Sequence, residues 1–557
     1  MGRGEAFPSY PVRMRRRHFL AAALALASLF LVAVLLAWQV RFRVATVIVD
    51  RKLAAAGVPA SYRITRIGPF LERMEEVRIG NPAAPDVVAR RIDVTIGYGL
   101  TGPSVRAISV DGVRLRGNLG PNGLSLGALD RLLPKATGGA PKLPDLDLAL
   151  RDSALALTTP NGMIHVAADG NGNPSRRFRG VARIAAPAFS FGNCAVKGVT
   201  AELRIATHAG RPQGSGPARA AALTCPGMTL GAGTAQLALA ANRTFDELSL
   251  RAGFVGFGGH AGAIRFARLT GSAGATGTFG DLNADARLEL TSVSAPEAAA
   301  AIARSGAKLT GSPLAPTGAR ATAAVARLLA RADAQAEIVA AFRGRTIDLH
   351  VKRLALAGRD GARLTAIERG GLTWSPSGWR ADADVTTGGG GLPTTAIALR
   401  QAAPGAPLIG TARLEPYRAG GAQLAATPLR FRWDGAAVAF ATVATIDGPL
   451  GDGFVRGLML PVRGRVSAAG ALVAGPGCET IAFRELRVTS FTFDPTRVPV
   501  CGRPIVARAA GGTLRIDAAA GRIRLTGHTR DGAPVTLAAA GCRALLSPCG
   551  RRAPARR

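Results

Sequence analysis

From Phe19 to Val40 the chain runs for 22 residues with Ser28 and Gln39 as its main polar interruptions. At about 1.5 Å rise per residue, a helix of that length crosses the roughly 30 Å hydrocarbon core of a bilayer. The run therefore predicts a single transmembrane helix. A cleaved signal peptide is the competing reading, but its apolar region is shorter, about 7–15 residues, and ends at a small-x-small site. Here the run closes on Ala37-Trp38-Gln39-Val40, and a tryptophan suits the membrane–water interface. Apolar periodicity continues through Val44, Val47, Ile48 and Leu53 as far as Gly57. A left-handed glycine can end a helix there, and Pro59 hinders its resumption. The chain thus divides into a basic cytoplasmic tail (1–18), a transmembrane helix (19–40), a juxtamembrane helical extension (41–57), a β array (58–546) and a basic tail (547–557).

Beyond Gly57 the pattern has period 2, the period of a strand with one apolar face. It begins with Tyr62, Ile64 and Ile67, and continues through Val77, Ile79, Ile92, Val94 and Ile96. Ile108 and Val110 are followed by Asp111-Gly112 and then by Val113 and Leu115. An Asp-Gly pair between alternating runs predicts a hairpin. The rhythm returns at Leu146, Leu148 and Leu150, at Leu155 and Leu157, at Leu203 and Ile205, and on to Leu514 and Ile516. Helical patterns interrupt it at Leu126–Leu133, Pro296–Arg304 and Thr317–Ala332, the last with Val325, Leu328 and Leu329 on one face. No alternation of strand and helix is present, so a parallel α/β sheet is excluded. The expectation is a mostly β protein: an anchor helix, then an elongated, curled antiparallel sheet with a few short helices. Aromatic residues are only 5% of the chain, too few for a conventional sandwich core. A sheet that curls over aliphatic side chains with no second layer leaves an apolar trough. Such a trough holds acyl chains, because each buried CH₂ contributes about 0.8 kcal/mol. With about 25 strands at roughly 4.8 Å spacing it would extend on the order of 120 Å. Its expected lining is Ile92, Val94, Ile96, Ile108, Val110, Val113, Leu115, Leu146, Leu148, Leu150, Leu203 and Ile205.

The formal net charge is +34, and Lys supplies only six of the 70 basic residues. The arginines stand singly between apolar residues, as in Val113-Arg114-Leu115-Arg116. That spacing describes a solvated strand face, with attraction to anionic lipid as the second reading. Nucleic acid binding would need an exposed basic patch with stacking groups, and none is visible. Arginines flank the apolar run on both sides, so the positive-inside rule alone leaves orientation weakly set. Cysteine usage helps more. Cys194, Cys225, Cys478, Cys501, Cys542 and Cys549 are even in number and contain no C-x-x-C pair. They favour disulfides and an oxidising compartment, hence a periplasmic β region. Spacing favours Cys194–Cys225 and Cys478–Cys501, with Cys542–Cys549 third; six cysteines nevertheless allow 15 pairings.

Motifs for catalysis are weak. Gly123-Leu124-Ser125-Leu126-Gly127 spells G-x-S-x-G, but a nucleophile elbow needs an α/β sheet to place its His and Asp. Ser125 is expected to cap the following helix instead. None of His18, His165, His208, His260, His350 and His528 lies at metal-ligand spacing from another. Gly388–Gly391 has no following Lys-Ser or Lys-Thr and reads as a wide turn. Asp145 and Asp147 are expected on one strand face, and Trp374 and Trp379 are expected to clamp a hairpin at Ser375–Gly378. The chain is therefore read as a non-enzyme with no cofactor and no metal. A structural or adhesive β-solenoid is the alternative, but it would show strict repeats. A serine hydrolase using Ser125 is a third reading.

An ordered set of segments carries a resemblance. After the anchor come Val58-Pro59-Ala60-Ser61-Tyr62-Arg63-Ile64, Asp86-Val87-Val88-Ala89, and Val113-Arg114-Leu115-Arg116-Gly117. The run from Leu124 to Pro134 and Leu143-Pro144-Asp145-Leu146 follow, with Gly477-Cys478-Glu479 and the run Pro495–Cys501 later. Together they resemble the YdbH-type branch of the AsmA-like intermembrane phospholipid transport proteins of Gram-negative bacteria, from the anchor to about residue 545. The resemblance implies a single-pass inner-membrane anchor and a long β-groove crossing the periplasm. It implies phospholipids as cargo, a small outer-membrane lipoprotein as partner, and no catalytic residues. Family members usually continue well past this point, whereas Ser547–Arg557 is Arg- and Pro-rich without alternation. That departure predicts a chain cut short of the outer-membrane end.

Overall fold

The computed structural model describes residues 50–546 apart from 52, 69, 100–101, 121–122, 133–141, 279, 307–310, 345 and 511. The run Phe19–Val40, both terminal tails, most of the 41–57 extension and Cys549 lie outside the described residues. Among the described residues no helix is long and apolar enough to cross a membrane. They form 38 strands, more than the alternation suggests. Strands as short as Met228–Leu230 and Tyr417–Ala419 span too few residues to display a period.

The chain divides into two units, Met1–Phe189 with Thr200–Gln213, and Ser190–Val199 with Gly214–Arg557. The first opens on helical residues 50–51 and 53–55. Gly57 N–H bonds Ala54 O at 3.0 Å and Val58 N–H bonds Leu53 O at 2.9 Å, with Gly57 at φ 64°. That pair of bonds around a left-handed glycine is the Schellman termination. The strands that follow are β1 (Ala60–Ile67), β2 (Leu71–Asn81), β3 (Ala84–Gly99), β4 (Gly102–Asp111), β5 (Arg114–Gly120) and β6 (Gly123–Ser125). A 3₁₀ turn, Gly127–Arg131, precedes β7 (Asp147–Thr159), β8 (Gly162–Asn173), β9 (Arg177–Phe191) and β10 (Cys194–His208).

The expected hairpin at Asp111-Gly112 does not form. β4 and β5 both run antiparallel to β3, with Ile92 opposite Val110 and Val87 opposite Leu115. Both also run parallel to β7. They are one long strand broken at Gly112, whose φ of 64° serves a bulge. A strand with partners on both sides cannot reverse, so the long-range pairing overrides the local Asp-Gly preference. The same line carries Glu76 (φ 55°) in β2 and Asp152 (φ 47°) in β7. The bulge at Asp152 explains a change of parity in the sequence. Leu148 and Leu150 are even-numbered and Leu155 and Leu157 odd, yet Leu150 opposes Gly170 and Leu155 opposes Val166 on the regular β8. Both pairs therefore face the same side.

The helix expected at Leu126–Leu133 is the shorter 3₁₀ turn, and Ser125 is not its main cap. Asp130 accepts the Leu126 N–H at 2.9 Å, and Asp86 accepts the Ala128 N–H at 2.8 Å. Asp145 is also placed differently from expectation. It lies in the bend before β7 and accepts from Asn173 Nδ2 at 3.0 Å, Ser175 Oγ at 3.1 Å and Arg176 Nη2 at 3.1 Å. It therefore shares no strand face with Asp147.

In the second unit, Leu248–Ala261, Ile264–Thr278 and Asp281–Val293 pair antiparallel in succession. Asp281–Val293 then pairs with Ala332–Arg343, so the intervening helices α1 (Pro296–Gly306) and α2 (Ala315–Ala330) are an insertion between neighbouring strands. Pro316 lies in the first turn of α2, where its missing N–H costs nothing. Ala324 and Leu328 of α2 pack on Ala332, Ala362 and Leu392, with Val325, Leu356 and Leu364 around them. The glycine run closes on this core: Arg327 Nη2 donates to Gly390 O at 3.0 Å and Tyr417 Oη to Gly391 O at 2.6 Å. Trp374 and Trp379 are register partners across their hairpin.

Candidate lipid-lining surface

Strand register sorts the first unit into two faces. One row runs Met74, Ile92, Val110, Leu150 across β2, β3, β4 and β7. A second runs Val94, Ile108, Leu148. Beyond the bulge line a third runs Val87, Leu115, Leu155, Val166, Ile184. Each step is about 4.8 Å, so aliphatic side chains stand shoulder to shoulder across the strands. The second unit repeats the device with Leu269, Leu290, Ala334, Leu356 and Leu364.

The opposite face is ionic. Arg73 forks Asp93 at 2.6 and 3.0 Å. Arg90 bridges Asp111 at 2.9 Å and Asp152 at 2.6 Å. Arg114 reaches Asp152 at 2.8 Å, and Arg183 reaches Asp169 at 3.5 Å and Glu202 at 3.3 Å. Hydrogen bonds from Arg176, Asn173 and Ser175, Arg176 foremost, hold the Asp145 carboxyl below the usual carboxylate range. Many of the singly spaced arginines are thus accounted for by carboxylates on the neighbouring strand, and exposed pairs of this kind add little to stability.

Of the expected lining residues, Ile92, Val94, Ile108, Val110, Leu115, Leu148 and Leu150 stand in these rows, while Leu146 lies in the bend before β7. Ile92, Val110, Val113 and Leu115 meet in one cluster with Tyr62, Met74, Val77, Ile79 and Ala89. Val94, Ile96, Ile108, Leu146, Leu148 and Leu150 are half-buried. Leu203 is buried and Ile205 half-buried, on the side of β10 opposite Glu202. Only Val113 and Leu203 of the set are fully buried. In a two-layer sandwich the inward rows would be closed by a second sheet; here most keep part of their area exposed. Sequence reading missed the bulge residues Glu76, Gly112 and Asp152. The parity change between Leu150 and Leu155 was the signal available.

Cys194 is bonded to Cys225 and Cys478 to Cys501. The second pair are direct register partners, and the first sits one step beyond the Ala195–Thr224 pair. Each disulfide joins adjacent antiparallel strands. Ser125 Oγ donates to Asp130 Oδ2 at 2.6 Å and accepts from Gly127 N–H at 3.3 Å. Asp130 is held below the usual range chiefly by that serine and by Leu126 N–H. Both contacts are turn geometry. Among the described residues no group of three or more His, Cys, Asp or Glu could hold a metal.

A family model described as YdbH-like, intermembrane phospholipid transport protein YdbH, matches residues 28–542. No curated protein matches the chain.

Proposed function

The chain belongs to the YdbH-like family of intermembrane phospholipid transport proteins, and on that premise we propose how it carries lipid. Acyl chains lie on the in-register aliphatic rows while headgroups stay at the rim in water. Phe19–Val40 anchors the chain in the inner membrane, and the β region lies in the periplasm, where disulfides persist. Lipid passes toward the outer membrane, where a small lipoprotein completes the path. The protein performs no covalent step.

The observation that carries this reading is the half-exposure of rows built from Val, Ile and Leu. Each CH₂ laid on them gains about 0.8 kcal/mol, and no cavity has to open first. The test is photo-crosslinking in cells, with crosslinkers at Ile108, Leu148 and Leu203 and, as controls, at Ala154 and Ala167 on the ionic face. Phospholipid adducts at the first set and none at the second are expected. Absence of adducts at the first set, together with no phospholipid in the purified protein by mass spectrometry, would refute it.

A further inference from the structure

One carboxylate of the first unit stands on the wrong face. Glu72 is in register with Val94, at the head of the row that continues through Ile108 and Leu148. Its partner on β1 is Ile67. The neighbouring Arg73 is turned to the ionic face and engaged with Asp93. Glu72 is half-buried, and among the described residues its carboxylate makes no ion pair or hydrogen bond. Among the described acids of this unit Asp147 also shows no such partner, but it is exposed on the ionic face, where water solvates it. An unpartnered charge among aliphatic side chains is costly unless something pairs with it.

Two aromatic rings stand further along the same face, toward the end of β3. Tyr98 follows Val94 and Ile96 on the same side of β3, and its ring meets that of Phe70 edge to face at 5.8 Å. Phe70 is 62% exposed and Tyr98 56%, so both rings are offered to solvent. Ile96 N–H bonds Phe70 O at 2.9 Å, which fixes this corner. A carboxylate followed on the same face by exposed aromatic rings is chemistry that receives an ammonium ion: charge pairing from one, cation–π attraction from the others.

We propose that Glu72, with Phe70 and Tyr98, binds the ammonium headgroup of an amine-bearing phospholipid whose acyl chain lies along Val94, Ile108 and Leu148. The row gives the chain a path of about 14 Å across three strand spacings, beginning at the carboxylate. This deepens the transport reading and rests on it. It makes the first unit selective, favouring zwitterionic amine lipids over anionic glycerol lipids.

The test places a photo-crosslinker at Ile108 in the full chain, so that only lipid on this row is read. The protein is equilibrated with mixed micelles of phosphatidylethanolamine and phosphatidylglycerol in equal parts, and adducts are identified by mass spectrometry. The wild-type chain should favour phosphatidylethanolamine about fivefold, the order expected of a half-exposed charge pair. Glu72→Gln should bring the ratio near one by lowering the phosphatidylethanolamine adduct, and Glu72→Lys should favour phosphatidylglycerol. An unchanged ratio in both variants, with phospholipid adducts still formed, overturns the headgroup site and leaves the transport reading standing. A wild-type chain that yields no phospholipid adduct overturns both.

Discussion

The bulge line shows how single residues hold the two faces apart. At Gly112 the backbone is left-handed, and an added Cβ would lie 2.1 Å from Arg90 Nε. The bare glycine lets Arg90 cross the bulge to reach Asp111 and Asp152. Gly112→Ala meets a backbone penalty of about 1–2 kcal/mol and displaces Arg90 as well. We therefore expect a loss of about 1–3 kcal/mol in the first unit, read as faster amide exchange in β3, β5 and β7. Gly253 is the control: nothing lies within 4 Å of an added Cβ there, and its φ is not in the left-handed range. Gly253→Ala should leave stability unchanged or raise it slightly, since alanine lowers the entropy of the unfolded chain. Equal losses at both sites would mean that the bulge is not a fixed feature of the fold.

Elements were legible where their signal is local. Alternation in Leu148 and Leu150 marks a strand because neighbouring side chains must point to opposite faces, whereas Leu146, which continues the pattern, lies in the bend before β7. The helix at α2 was visible from Val325 and Leu328 at helical spacing, within two residues of its true ends. What the chain concealed depends on partners far away in sequence. Asp111-Gly112 looks like a turn until β3 and β7 flank it on both sides. The 3₁₀ turn is capped by Asp86, 42 residues earlier, a contact no local pattern contains. The aliphatic rows were visible as strands but not as rows, because register is set between strands. The α2 insertion gives a direct test of how an element depends on its partner. Leu328 is 5% exposed among Ala332, Ala362 and Leu392, so Leu328→Ala should cost about 2–4 kcal/mol. Hydrogen exchange should rise in Thr346–Gly358 and Arg363–Ser375, beneath the helix, and stay unchanged in β2 and β3. If exchange beneath the helix stayed as slow as before, α2 would be a passenger on the sheet.

At the scale of the molecule, transport along rows has a property that storage in separate sites lacks. Sites in parallel each contribute their own share, so damaging one leaves the rest working. Segments in series all carry the same flux, so one block is enough. Leu155 stands in the middle of an aliphatic row of the first unit, and Leu290 within the row from Leu269 to Leu364 of the second. An aspartate at either position puts a charge where an acyl chain must pass, and its neighbours across the strands are apolar or small, with nothing to pair it. Each position is half-buried, so the carboxylate retains access to water and the strands can still form; circular dichroism would verify that. Leu155→Asp and Leu290→Asp should each abolish phospholipid transfer between membranes, and the double variant should be no worse than either alone. The measurement is transfer of labelled phospholipid in cells that depend on this chain, with crosslinked lipid at Ile108 recorded in parallel. With the block at Leu290, lipid should still reach Ile108 and stall, so the adduct there persists while transfer stops. Partial losses that multiply in the double variant would mean that the two units act independently, and the conduit would have to be replaced by separate lipid-binding sites.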